Sequence, residues 1–103
     1  MTTPSSKDSA TETLNARTWS NEETAAYEAA VEAVNGAVGA YSSKIAKERG
    51  KERPDQEVIE AAIAARRNLA QVRESLRSED PEQIAAARQQ YAQLARDIRE
   101  GRA

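Results

Sequence analysis

Side chains that commonly catalyse reactions or hold metal ions are scarce in this sequence. It contains no His and no Cys, which excludes imidazole acid–base catalysis, thiol nucleophiles and zinc-finger sites. Glu28 and Glu32 are one helical turn apart, a spacing at which carboxylates bridge metal ions in helical bundles. Such bundle sites also use a Glu-x-x-His motif. Because there is no His, we interpret the pair as a solvated acidic flank.

Serine and glycine residues provide no catalytic motif either. Ser42 and Ser43 are candidate hydroxyl nucleophiles, but the sequence places no base beside them that could activate a hydroxyl. Gly36 and Gly39 fall within a helical pattern, whereas a glycine-rich phosphate-binding loop lies between a strand and a helix. We therefore predict that the protein is not an enzyme and has no catalytic residue, cofactor or metal ion.

Composition favours one small domain in the cytoplasm. The chain has 103 residues, of which 21 are Ala and 19 are larger apolar residues, enough for one thin core. The 15 basic and 17 acidic residues are spread over both halves, so neither nucleic acid nor an anionic membrane is a predicted partner. No apolar run approaches the ~20 residues of a membrane span, and no secretory signal is recognisable. The high content of Ala and Arg is typical of GC-rich bacterial genomes.

A disordered tail and one long helix are predicted for the first half of the chain. Residues 1–18 are rich in Ser and Thr, which favours a disordered tail, and residues 19–103 form one domain. Ser20 and Glu23 form a capping-box pattern that starts a helix over about residues 20–50. Large apolar residues recur at alternating steps of four and three along one face: Tyr27, Val31, Val34, Val38, Tyr41 and Ile45. A second row beside them is small: Ala26, Ala30, Ala33, Ala37 and Ala40.

The turn dipeptide Asn35-Gly36 and the nearby Gly39 are the features that oppose one long helix. Each glycine inside a helix costs about 1 kcal/mol relative to alanine. A break there would put the two halves of the apolar row out of phase, yet the row keeps its phase from Tyr27 to Ile45. We therefore favour one continuous helix with a weak middle over two helices.

Two further helices are predicted after residue 53. Pro54 marks the first position of a helix over residues 54–78. Asp80, Pro81 and Gln83 give an N-cap, a proline at the first position and a glutamine at the third, which starts a helix over residues 81–100. Short connections favour antiparallel neighbours. The predicted fold is all-α, a three-helix antiparallel bundle in which a helical hairpin packs with the long first helix.

Residues 46–59 resemble the small helical antitoxins of Fic-type toxins. In that family a helix ends in a Glu-Gly step, followed after a few residues by a proline and an acidic start to the next helix. The same order is found here in Glu48, Gly50, Pro54 and Asp55. The whole chain also looks like small three-helix proteins of actinobacteria.

The inhibitory motif of those antitoxins is Ser/Thr-x-x-x-Glu-Gly/Asn, and this sequence departs from it twice. Arg49 separates Glu48 from Gly50, and Lys44 stands where the motif has Ser or Thr. In that family the glutamate of the antitoxin pairs with the arginine that would otherwise hold the γ-phosphate of a nucleotide. The resemblance implies that role for Glu48.

We predict a non-enzymatic protein-binding module, most specifically an antitoxin-like or regulatory inhibitor that docks a helix on a partner protein. The first helix carries two apolar rows, so one could face the hairpin while the other faces a partner. Trp19 either clamps the start of this helix or anchors a partner. The residues predicted to contact the partner are Trp19, Ala33, Ala37, Tyr41, Ile45 and Glu48.

The alternative is a self-associating coiled-coil structural protein with accessory DNA contacts. Such contacts would come from arginines spaced along one side of the second and third helices. These two rows are Arg66, Arg73 and Arg77, and Arg88, Arg99 and Arg102. Acidic residues interrupt both rows, which favours a solvated surface with ion pairs inside each helix.

Overall fold

A computed structural model describes the backbone of residues 3–103 and the side chains of residues 21–103. It contains three helices, α1 (Thr3–Arg49), α2 (Gln56–Ser75) and α3 (Pro81–Arg99), and no strand within the described residues. The all-α prediction is confirmed. Helix α1 begins at Thr3, before the predicted start near residue 20, so Ser20 lies inside the helix and not at its cap. The predicted disordered tail at residues 1–18 and the role of Trp19 involve residues whose side chains are not described, and they stay predictions.

Helix α1 continues without a break through Asn35, Gly36 and Gly39, which confirms the prediction of one helix. Neither glycine is needed for close packing, because a Cβ atom at either position would meet nothing within 4 Å. On either side of Gly36, Val34 and Ala37 are completely buried in the same core cluster. Tertiary packing on both sides of the weak segment therefore keeps the helix continuous.

Helix α2 starts and ends at different residues from those predicted. Its N-cap is Asp55, whose Oδ1 accepts hydrogen bonds from the backbone N–H groups of Glu57 (3.0 Å) and Val58 (3.4 Å). Pro54 was predicted at the first helical position but lies before the cap, because the Asp55 carboxylate satisfies the free N–H groups of the first turn. The helix ends at Ser75 and not at residue 78. The next residue, Leu76, has an extended backbone, and its side chain is buried in the core.

Helix α3 begins at Pro81 as predicted, after the N-cap Asp80. The Asp80 Oδ1 atom accepts a hydrogen bond from the backbone N–H of Gln83 at 3.1 Å. The Gln83 side chain does not return to the cap. Its Oε1 accepts from the Arg77 backbone N–H at 2.8 Å, and its Nε2 donates to the Ser75 carbonyl at 3.0 Å. Gln83 thus ties the loop between α2 and α3 to the first turn of α3.

Helix α2 runs antiparallel to α1. Ile59, near the start of α2, packs with Ile45 near the end of α1. Arg73, near the end of α2, contacts Asn35 in the middle of α1. The contacts therefore move backwards along α1 as α2 proceeds.

Helix α3 runs in the same direction as α1. Its early residue Ile84 lies beside Ala26, and its late residue Ile98 lies beside Ala40. Both α2 and α3 approach α1 closely, whereas no Cα atom of α2 lies within 8 Å of one in α3, two helices that are described in full. The last two helices are antiparallel as predicted, but α1 is the element on which both of them pack.

Three of the five residues of the α1 alanine row belong to the core, contrary to the prediction that one row would be left for a partner, whereas Ala26 is exposed and Ala33 is half-buried. Ala30 and Ala37 are completely buried and Ala40 is 2% exposed, whereas Val31 and Val38 in the row of larger residues are only half-buried. Since α2 and α3 pack against two sides of α1, its buried face is wide enough to include both rows. The small side chains also let the neighbouring backbones come close to α1.

Candidate partner-binding surface

The residues predicted to contact a partner do not form one exposed surface. Ala37 lies in the main core cluster, and Ile45 belongs to a smaller cluster at the end of the bundle with only 3% of its surface exposed. Ala33 is half-buried, and Tyr41 is half-buried between the two clusters. Trp19 lies outside the described side chains. The apolar residues of this set that the structure describes therefore support packing within the chain.

Glu48, the remaining predicted contact, is buried at the junction of α1 and α2 and is 7% exposed. Its Oε2 accepts a hydrogen bond from the Asp55 backbone N–H at 3.0 Å, and its Oε1 accepts from Lys51 Nζ at 2.9 Å. The hydrogen bond from the Asp55 N–H lowers the pKa of the Glu48 carboxyl from its ordinary value of 4.5, and the bond from the Lys51 ammonium makes the second largest contribution in the same direction. Both oxygens are therefore used inside the chain, which is not the geometry of a glutamate free to enter a partner's cleft.

Two arginines of the α2 row hold that helix against α1. Arg66 Nη1 donates to Ser42 Oγ at 3.1 Å, and Arg73 Nη1 donates to Asn35 Oδ1. Ser42 in turn donates to the Val38 carbonyl at 3.0 Å. These contacts were not predicted, although the sequence contains a signal for them. The two arginines are seven residues apart, as are Asn35 and Ser42, which is the register of an antiparallel helix pair.

The predicted arginine rows do not form one free basic face over the described residues. Arg66 and Arg73 bind α1, and Arg77 lies 3.5 Å from the carboxylate of Glu79. Arg102 pairs with Asp97 at 2.8 Å and with Glu100. Arg88 and Arg99 are exposed and take part in none of the ion pairs within the described residues.

A groove lies between α1 and one side of α3, and we call it the α1–α3 groove. It encloses about 540 Å3, and its lining is mostly apolar. Small side chains from both helices make its surface: Ala26 from α1, and Ala85 and Ala92 from α3. These alanines were not among the predicted site residues, because Ala85 and Ala92 lie away from the apolar row of α3.

Charged side chains line this groove at both ends and at its middle. Glu22 and Glu23 lie at the end near Pro81, whereas Arg88 and Arg96 come from further along α3. At 1.5 Å per residue, these arginines are about 10 and 22 Å beyond Pro81 along the helix axis. No ion pair within residues 21–103 joins the two glutamates to the two arginines. Arg96 donates to the neutral Gln93 Oε1 at 2.6 Å, so its positive charge is not balanced by a carboxylate of the described residues.

A second concavity of about 360 Å3 lies near the ends of α1 and α3. Its basic lining residues are Lys44, Lys47, Lys51 and Arg99. Arg99 is one turn after Arg96, so this concavity continues the basic end of the α1–α3 groove. The acidic side chain that lines it is Glu48, whose oxygens already accept bonds from Lys51 and Asp55.

The part of the chain that the structure describes contains no group of three acidic, His or Cys residues that could hold a metal ion. Glu28 and Glu32 are both exposed on α1. Every buried side-chain nitrogen or oxygen in the described range has a hydrogen-bond partner. None of the helices, over their described residues, has an apolar stretch of membrane-spanning length.

Comparison of the chain with known protein families, curated proteins and solved structures finds no match.

Proposed function

We propose that the chain is a non-enzymatic protein-binding module that holds a helix of a partner protein in the α1–α3 groove. The observation that carries this proposal is an open, mostly apolar groove of about 540 Å3 with small residues in its surface and charges at its ends. An amphipathic helix can lay its apolar face into such a groove while its polar side chains meet the charged rim.

The dimensions of the groove fit a helix. The lining residues of α3 extend from Pro81 to Arg96, which is about 22 Å along the axis, or roughly four helical turns. The exposed side chain of Ala85 and the half-buried side chain of Ala92 leave room for a second helix to approach α3. Burial of this apolar surface by a partner favours binding by a free energy of roughly 25 cal/mol for each Å2 removed from water.

The specific form of the proposal is an antitoxin-like or regulatory inhibitor, which rests on the resemblance of residues 46–59. In this form the α1–α3 groove binds the partner. Glu48 contributes by holding the α1–α2 turn, because both of its oxygens accept hydrogen bonds within the chain. The docking part of the proposal is supported by the groove, independently of Glu48.

Site-specific photo-crosslinking tests the docking surface. A photo-reactive amino acid is placed at Ala92 in the groove, and as a control at Ala64, an exposed residue of α2 outside the groove. In the native host we expect the Ala92 position to crosslink to one protein that the Ala64 position does not capture. That protein is then purified, and its affinity is measured by calorimetry.

The affinity measurement decides the result. We expect Ala85→Arg to weaken binding of the purified partner at least about tenfold, because a long charged side chain would fill the groove. The matched variant Ala64→Arg should bind like the wild type. Equal affinities of the two variants, with circular dichroism showing both folded, would overturn the α1–α3 groove as the docking surface.

A further inference from the structure

We infer that the partner helix has segregated charges, with acidic side chains over the basic end of the α1–α3 groove and basic side chains over Glu22 and Glu23. This inference rests on the proposed function and adds the chemistry of the partner. Its basis is the order of charges along one side of the α1–α3 pair. The order runs from the two glutamates, through the alanine surface, in which Arg88 lies between Ala85 and Ala92, to the basic residues Arg96, Arg99, Lys44, Lys47 and Lys51.

The basic end has an excess of positive charge, although Lys44 donates to the Ala103 carbonyl at 3.0 Å and Lys51 is paired with Glu48 at 2.9 Å. Among the residues that line the second concavity, Glu48 is the one acidic side chain, and it faces Lys51 and the Asp55 N–H. The neighbouring acids Asp97 and Glu100 are paired with Arg102. A concave surface lined mainly by one sign of charge concentrates its field on a bound molecule. Acidic side chains of a partner would therefore be attracted to this end.

The opposite end has the opposite sign. Glu22 and Glu23 lie beside the start of α3, where the exposed Glu82 adds another carboxylate in the first turn. These acids would repel a uniformly acidic ligand that extends along the whole groove. A nucleic acid, whose every phosphate is negative, therefore fits the groove less well than a helix with one acidic and one basic half.

Two designed peptides of about 21 residues test the inference. Both have the same composition and the same apolar face of Ala and Leu. One has Glu in one half and Lys in the other, whereas the second has Glu and Lys alternating along its polar face. We expect the segregated peptide to bind the full chain about tenfold more tightly, and we expect this preference to shrink at high salt. Binding is measured by calorimetry and by amide shift changes in NMR spectra.

Protein variants locate the charges. We expect Arg96→Glu combined with Arg99→Glu to abolish the preference for the segregated peptide, whereas Arg67→Glu, an exposed position of α2 outside the groove, should keep it. Equal binding of the two peptides, blocked by Ala85→Arg, would overturn the charge order while leaving groove docking intact. Failure of both peptides to bind would overturn the inference. Tighter binding of a single-stranded DNA of similar length would overturn it in favour of a nucleic acid.

Discussion

Glu48 Oε2 accepts a hydrogen bond of 3.0 Å from the backbone N–H of Asp55, so the last turn of α1 holds the residue that caps α2. The Asp55 carboxylate then accepts from the first N–H groups of α2. Lys51, in the connecting loop, donates to the other oxygen of Glu48. One buried carboxylate thus determines both the path of the loop and the start of the next helix.

We expect Glu48→Ala to lower the stability of the fold, because the Asp55 N–H and the Lys51 ammonium would lose their acceptor in the chain. Urea denaturation followed by circular dichroism measures the effect as a lower midpoint. Glu52→Ala is the matched control, since it removes the same charge from an exposed side chain four residues later. If the two variants have the same midpoint, the Glu48–Asp55 bond does not stabilise the turn.

Stability should fall at acidic pH because of the same carboxyl. Hydrogen bonds from Asp55 and Lys51 lower the pKa of Glu48 in the folded state below its ordinary value of 4.5, which approximates that of the unfolded chain. The stabilisation is therefore fully present above the unfolded pKa and is lost as the pH falls through the lower folded pKa.

Denaturation midpoints measured between about pH 7 and pH 3 check this expectation. The wild type should lose stability below about pH 4.5, and Glu48→Gln should lose less over the same interval. Some pH dependence should remain in the variant, because Gln93 and Arg102 also lower the pKa of Asp97 from its ordinary value of 3.8. A variant with the full pH dependence of the wild type would contradict the role of Glu48.

Replacing the glycines inside α1 should stabilise the protein. A Cβ atom at Gly36 or Gly39 would meet nothing within 4 Å, and alanine is a better helix former by about 1 kcal/mol. We expect each of Gly36→Ala and Gly39→Ala to raise the free energy of unfolding by about that amount, measured in urea.

Gly101 provides the contrasting control for those two variants. Its φ of +78° is in the left-handed region, which an alanine adopts only with strain. We expect Gly101→Ala to be destabilising or neutral. If Gly36→Ala also destabilises the isolated chain, the middle of α1 makes a contact that the fold described here does not include.

A large charged residue at Ala37 should unfold the bundle. Ala37 is completely buried, so Ala37→Arg would force a charge into the core, at a cost of at least about 1–3 kcal/mol from overpacking alone. Ala46→Arg, on the exposed side of α1, should leave stability unchanged within about 0.5 kcal/mol. Thermal unfolding followed by circular dichroism distinguishes the two. A folded Ala37→Arg variant that has only lost association would instead support the alanine row as an interface.

Local signals in the sequence determined the helices. The start of α3 was predicted at its observed position because the Asp80 cap and Pro81 both act within the first turn, so neighbouring residues contain the whole signal. The continuity of α1 through Gly36 followed from the phase of its apolar row. The end of α2 was misplaced because it depends on Leu76 entering a core that distant residues form.

Only the tertiary structure decided which helix faces are buried and which residues remain for a partner. Ala30, Ala37 and Ala40 of α1 are in the core because α2 and α3 both pack on α1, and no periodicity within α1 states where its neighbours lie. Glu48 has a structural role because the loop brings the backbone N–H of Asp55, seven residues later, within hydrogen-bond distance of its carboxylate. Likewise, Ala26 and Ala85 line one groove only because α3 runs alongside α1. Periodicity and capping act within a helix, whereas a surface built from two helices depends on how they pack.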